Sequence, residues 1–320
     1  MKISVLGCGR WGSFIAWYLN KIGPEVSLWG REGSPHLREL QDSRKNSFLE
    51  FDEKIIITHR LEKAVDSAEI IVISISSQSL RAFLTEAAKT CDFSGKIIVL
   101  CMKGIEESTG KRLSEVVRDC LGAEQKTAVW VGPGHVQDFA KGIPNCMVID
   151  SEDNRVKYFL VEKFSSSLIR FYYGTDIIGT EIGAAAKNVM GIAAGVLDGM
   201  RYESLKGALM SRGTNEIARL IKSLGGNPFS SYGLAHLGDY QATLFSAHSN
   251  NRKYGEALVT GETCTKLAEG VKTSHALVKL GERHDLELPI CRAVYMAVNG
   301  MTAPQTAISE LFLRKIKNEF

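Results

Sequence analysis

The apolar run Ile3-Ser4-Val5-Leu6 breaks into Gly7-Cys8-Gly9-Arg10-Trp11-Gly12, and a helix-forming stretch follows as far as Lys21. Few features restrict a fold more. The first glycine permits a tight turn, the second lets the backbone approach a pyrophosphate, and the third lets the helix pack closely on the strand. The helix start adds unpaired N–H groups and the positive end of its dipole. A second strand, Glu25–Trp29, follows in register. Strand, loop, helix and strand together predict a site for NAD(H) or NADP(H). A glycine-rich turn without a ligand is the bland alternative.

The end of the second strand decides between the two cofactors. A carboxylate there would bind the ribose hydroxyls and repel a 2′-phosphate. This chain instead has Leu28-Trp29-Gly30-Arg31, with Glu32 next. A guanidinium suits a phosphate, so Arg31 favours NADP(H), with NAD(H) also accepted; a solvated loop arginine remains the other reading. Arg10 is a further cation inside the loop.

The first half continues as alternating strands and helices. Expected strands are Lys2–Leu6, Glu25–Trp29, Ile55–Thr58, Ile70–Ile75, Lys96–Cys101, Ala128–Val131, Cys146–Ile149 and Ile169–Tyr173. They are rich in Val and Ile and often apolar at consecutive positions, the pattern of parallel strands buried on both faces. Helices are expected at Gly12–Lys21, Leu80–Lys89 and Gly110–Leu121.

From about Ile178 the period becomes three to four residues. Helices are expected at Glu181–Leu197, Leu205–Leu224 (capped by Ser204), Phe229–Leu237, Lys253–Val259, Lys272–His284, Ile290–Val298 and Pro304–Lys317. The fold class is therefore α/β: an N-terminal Rossmann-type doubly wound sheet over residues 1–176, followed by an all-α domain over residues 177–320.

Composition narrows the partners. The 39 basic and 36 acidic residues give a net charge of +3, too balanced for a nucleic-acid or membrane surface. A local basic pocket for a small anion remains open. Seven cysteines occur singly, without zinc-ligand or redox-pair spacing, so reduced thiols and no metal are expected. No apolar run approaches the ~20 residues of a membrane span, and the start does not resemble a signal peptide. Both point to the cytoplasm.

Five segments carry a more specific resemblance. They are Leu28-Trp29-Gly30-Arg31; Met102-Lys103-Gly104-Ile105-Glu106 with Ser108-Thr109-Gly110-Lys111; and Gly132-Pro133-Gly134-His135 with Phe139 to Pro144. The fourth runs from Ile178 through Ala186-Lys187-Asn188-Val189, with Asp198-Gly199 and Arg212-Gly213, and the fifth is Leu237-Gly238-Asp239 with Ser249-Asn250-Asn251-Arg252. In this order, over almost the whole chain, the sequence resembles the NAD(P)-dependent glycerol-3-phosphate dehydrogenases. The resemblance implies reversible reduction of dihydroxyacetone phosphate to sn-glycerol 3-phosphate for glycerophospholipid synthesis. It also implies a site in the cleft between the two domains and a homodimer.

Hydride addition to a ketone builds negative charge on its oxygen, so a proton donor is required. The resemblance assigns that role to Lys187, which follows Ala184, Ala185 and Ala186 and precedes Val189 and Met190. By the residues alone, a lysine snorkelling to solvent is the alternative. Lys103 is implied to contact substrate and nicotinamide, Asp239 to share the network of the catalytic lysine, and Asn188 to line the site. A turn lysine and a capping aspartate are the bland readings of Lys103 and Asp239. The substrate set is completed by Gly132, Gly134, Ser249, Asn250 and Asn251. The cofactor set comprises Gly7, Gly9, Arg10, Trp11, Gly12, Arg31, Lys103, Val136, Asn250, Leu267 and Glu269. Without the resemblance, Glu269 is an ordinary helix-surface residue.

The chain departs from the family pattern at Asn250, where an arginine is usual, and at Gly134, where a hydroxyl residue is usual. The loop after Asp198-Gly199 is one residue short and lacks its asparagine. Arg10 stands where serine or alanine is usual. Losing the guanidinium fork at position 250 would cost about 1.5–3 kcal/mol of anion binding, unless Arg252 or Lys253 compensates. A reductase of another small phosphorylated or hydroxy-acid substrate, or a cofactor-binding protein with little catalysis, are the competing readings.

Overall fold

The computed structural model describes residues 1–265, 267–316 and 318–319. They form two compact units, residues 1–102 with 111–177, and residues 103–110 with 178–320.

The first unit is a single sheet flanked by helices. Its strands are β1 (Lys2–Leu6), β2 (Glu25–Trp29), β3 (Ile56–Thr58), β4 (Ile70–Ile73), β5 (Ile97–Leu100), β6 (Thr127–Val131), β7 (Asn145–Asp150) and β8 (Ile169–Tyr173). The helices between them are α1 (Arg10–Lys21), α2 (Pro35–Ser43), α3 (Leu61–Asp66), α4 (Leu80–Ala87), α5 (Leu113–Leu121), α6 (Val136–Ala140) and α7 (Asn154–Phe164). The strand order is β3-β2-β1-β4-β5-β6-β7-β8. The order reverses between β1 and β4, and in such sheets ligands gather at the carboxyl ends of the strands beside that reversal. The Gly7–Gly12 loop leaves β1 at this point. Val5, Leu28, Val72, Val99 and Trp130 are among the sheet residues of a core that Phe14 and Phe139 join from the helices.

Two expectations need correction. β7 runs antiparallel to β6, not parallel. Consecutive apolar residues report burial on both faces, not direction, and only the five-residue α6 lies on the connection, so the chain turns back instead of crossing over. The α5 helix begins at Leu113 rather than Gly110, because Glu115 accepts the Arg112 main-chain N–H and closes a capping box there.

The second unit is built on α8 (Ile177–Gly199), with α9 (Lys206–Ser223), α10 (Asn250–Thr260), α11 (Glu269–Arg283), α12 (Pro289–Val298) and α13 (Pro304–Phe312). From Gly179 to Leu197 every residue of α8 is buried. A helix buried on every side, and made mostly of small and apolar residues, sits at the centre of its domain. Residues 103–110 pack here too, so a single cut after residue 176 would split them from their core. Ile105 is buried among the helices, and Glu107 pairs with Lys272 at 3.0 Å and His275 at 2.6 Å on α11.

Several helix bounds differ from expectation. Ser204 does not cap α9; it lies in a 3-10 turn, Glu203–Leu205, and Leu205 stands at the cap position. Instead of one helix over Phe229–Leu237, there are two 3-10 turns, Pro228–Tyr232 and Leu237–Asp239. A π-helical turn, Gln241–Phe245, follows. The α10 helix starts early, at Asn250, because the Ser249 hydroxyl accepts the Arg252 N–H. α13 ends at Phe312; the expected terminus at Lys317 lies outside the described residues.

Candidate active site

The glycine loop tests directly for a dinucleotide. Gly7 has φ +119°, and a Cβ there would overlap the Ser74 carbonyl; a Cβ on Gly12 would overlap the Gly7 carbonyl. These two positions are closed to any side chain. Around Gly9, by contrast, a Cβ would meet nothing within 4 Å. The loop is therefore packed from within and bare on its outer side. Gly9 caps α1 without a side-chain bond, and the first turn holds no acidic residue. The arrangement fits a pyrophosphate.

Trp11 packs its ring against Phe14 and Phe139, with centroids 5.1 and 6.4 Å away, so its main-chain N–H is what it offers at the helix start. The Arg10 guanidinium lies 5.5 Å over the Phe48 ring. Arg31 and Glu32 are exposed beyond the end of β2. Gly132, Gly134 and the buried Val136 follow β6 in the same unit. A Cβ at Gly134, whose φ is +153°, would overlap the Phe139 ring. The missing hydroxyl at this position thus has a physical reason.

The second unit gathers a charged cluster. Asp239, only 1% exposed, presents Oδ2 to two ammonium groups. Lys103 Nζ donates to it at 2.6 Å, and Lys187 Nζ lies 2.9 Å away. Lys187 also donates to Thr243 Oγ1 at 2.7 Å, and Asn188 Nδ2 donates to the Lys103 carbonyl at 3.1 Å. So Lys187 does not snorkel, Lys103 is not a bare turn residue, and the Asp239 carboxylate serves ammonium groups. Burial pushes the Lys187 pKa down to about 8; Asp239 opposes the shift and Lys103 adds to it. A lysine near that value holds a proton at neutrality and gives it up readily.

A third group lies at the starts of α10 and α11. Asn250 Nδ2 donates to the Leu267 carbonyl at 3.4 Å, and Asn251 Oδ1 accepts the Gly270 N–H at 2.9 Å. Ser249 and Asn250 thus stand at one helix N-terminus, with Leu267 and Glu269 at the next. Arg252 does not compensate for the missing arginine. Its guanidinium is tied to Asp198, which also takes Lys206 at 2.5 Å.

Sequence reasoning missed Thr243, His236 and Tyr240. Thr243 stands one turn beyond Asp239, and that spacing was the available signal. The other two are a buried pair, and the contact of His236 with Gly183 lies 53 residues away in sequence.

Comparison with known proteins decides the family. The model of the NAD-dependent glycerol-3-phosphate dehydrogenase N-terminus matches residues 2–157, and that of its C-terminus matches residues 176–309. The chain belongs to this family. As a glycerol-3-phosphate dehydrogenase family member it is an oxidoreductase that uses NAD or NADP. A glycerol-3-phosphate dehydrogenase (NAD(P)+) from Pelodictyon phaeoclathratiforme is 36% identical, over 100% of this chain and 99% of its own length. One from Chlorobium phaeobacteroides is 37% identical, with the same coverage. The solved glycerol-3-phosphate dehydrogenase of Coxiella burnetii superposes with a TM-score of 0.91 at 29% identity, covering 98% of this chain and 99% of that one. Among the described residues no helix is long and apolar enough to cross a membrane.

Proposed function

We propose that this chain reduces dihydroxyacetone phosphate to sn-glycerol 3-phosphate with Lys187 as general acid, and that NADP(H) is favoured over NAD(H). The reaction is that of the family. The residue roles rest on one observation: a buried lysine with a pKa near 8, hydrogen-bonded to a carboxylate that a second lysine shares. The bound nicotinamide cofactor supplies the hydride.

Lys187 protonates the oxygen as negative charge develops there and takes the proton back in the reverse direction. Lys103, paired to the same carboxylate, keeps a second positive charge nearby and stabilises that oxygen. Asp239 holds both ammonium groups in place, and Asn188 fastens the Lys103 main chain. Ser249, Asn250 and Asn251 receive the phosphate at the start of α10, where helix N–H groups favour an anion. Gly132 and Gly134 contribute main-chain groups to the substrate. Gly7, Gly9 and Gly12 hold the pyrophosphate with the main chain of Arg10 and Trp11. Arg31 meets a 2′-phosphate, while Val136, Leu267 and Glu269 complete the cofactor contacts. The product supplies glycerophospholipid synthesis, in the cytoplasm, and the enzyme works as a homodimer.

Steady-state turnover of dihydroxyacetone phosphate with NADPH and with NADH tests the reaction and the preference. Activity only on another ketone would favour a related reductase. Cofactor binding without turnover would make the chain a binding protein. Lys187→Ala tests the acid: turnover within a few-fold of the original would remove that role. Sedimentation equilibrium tests the dimer.

A further inference from the structure

Next to the charged cluster lies a buried polar pair with no part in the chemistry so far. His236 is fully buried, and its Nδ1 lies 2.8 Å from the Gly183 carbonyl oxygen. Its Nε2 lies 2.7 Å from the Tyr240 hydroxyl. A carbonyl only accepts, so Nδ1 carries the hydrogen. Tyr240 therefore donates to a bare Nε2, and a neutral imidazole satisfies both contacts.

The two ends of His236 reach the two partners of the proton-transfer pair. Gly183 precedes Lys187 by four residues, so its carbonyl is the helical acceptor of the Lys187 N–H. The imidazole thus grips the turn of α8 that carries Lys187. The His236 carbonyl accepts the Asp239 N–H at 3.0 Å, so its main chain sets the 3-10 turn that carries the carboxylate. Gly183 makes the approach possible, since a Cβ there would stand 2.9 Å from the His236 Cβ.

We infer that His236, braced by Tyr240, is a positioning residue that fixes the Lys187–Asp239 distance. The inference rests on the reading of Lys187 as proton donor. The charged groups facing His236 are Asp239 and Lys187, and burial brings its pKa down to about 4. It therefore stays neutral throughout the working range and adds no charge of its own.

The test is a pair of substitutions. His236→Phe keeps an aromatic ring, slightly larger, and removes both the donor to Gly183 and the acceptor for Tyr240. His236→Asn places an amide N–H where Nδ1 stands. For the phenylalanine variant, kcat should fall about tenfold while KM values hold. The alkaline limb of its pH profile should move upward as water reaches a loosened Lys187. The asparagine variant should keep kcat within about threefold. A folded phenylalanine variant with unchanged kcat and limb would overturn the inference, as would an asparagine variant equally impaired. If the phenylalanine variant does not fold, Tyr240→Phe should move the limb the same way by less, and an unmoved limb would overturn it.

If instead Lys187→Ala leaves turnover and limb intact, the reading of Lys187 fails. Nitrogen-15 histidine spectra then decide on the brace alone. A neutral Nδ1–H tautomer for His236 between about pH 5 and 9 supports it, and an Nε2–H tautomer overturns it.

Discussion

Thr243 Oγ1 accepts a hydrogen bond from Lys187 Nζ at 2.7 Å, one turn of chain beyond the carboxylate that lies 2.9 Å from the same nitrogen. A neutral acceptor favours the charged lysine without adding charge. Thr243→Val keeps the shape and removes the oxygen. A hydrogen bond to a charged group is worth about 1.5–3 kcal/mol, or roughly one to two pKa units. The alkaline limb for ketone reduction should move down by that amount. A limb that stays in place would show that the hydroxyl does not support the ammonium.

The unaltered enzyme should show opposite pH responses in its two directions. Reduction needs protonated Lys187, so its kcat should fall as pH rises through about 8. Oxidation of glycerol 3-phosphate needs the neutral amine, so its kcat should rise through the same region. Paired pH profiles in deuterium-free buffer check this, and a reduction rate that climbs above that pH would contradict the assignment.

The nucleotide half was legible because its signal is local. Gly7, Gly9 and Gly12 announce turn, approach and packing within six residues, and the strands stand close to where hydrophobic pattern put them. The direction of β7 was not legible, since Cys146 to Ile149 looks the same run either way. In the second unit, Lys187 stood out as a cation among alanines. The chain from His236 to Tyr240 did not, because its value depends on Gly183, which lies 53 residues away from His236. The same holds for Lys103–Gly110. Its place among the helices shows only in contacts distant in sequence, such as those of Lys103 with Asp239, of Asn188 with the Lys103 carbonyl and of Glu107 with α11.

Restoring an arginine at position 250 should improve substrate binding. Asn250 is half-buried at the start of α10, and its amide bond to the Leu267 carbonyl is long at 3.4 Å. A cation at a helix N-terminus costs about 0.3–1 kcal/mol, against about 1.5–3 kcal/mol for a charge-assisted bond to phosphate. The gain wins. Asn250→Arg should lower KM for dihydroxyacetone phosphate about tenfold at low salt, with Tm falling slightly. An unchanged KM would place the phosphate elsewhere.

Restoring a hydroxyl at position 134 should fail. A Cβ on Gly134 overlaps the Phe139 ring, which itself stacks on Phe14 with centroids 4.8 Å apart in the core of the first unit. The positive φ adds strain for any side chain. Gly134→Ser alone should therefore lower Tm, and overpacking of a core typically costs about 1–3 kcal/mol. Phe139→Ala removes the obstructing ring but leaves a cavity, at about 3–5 kcal/mol. The double variant should be less unstable than the sum of the two singles, because the serine enters space the ring has left. Thermal unfolding of all four proteins measures the coupling. Strict additivity would mean that Phe139 is not what excludes a side chain from position 134.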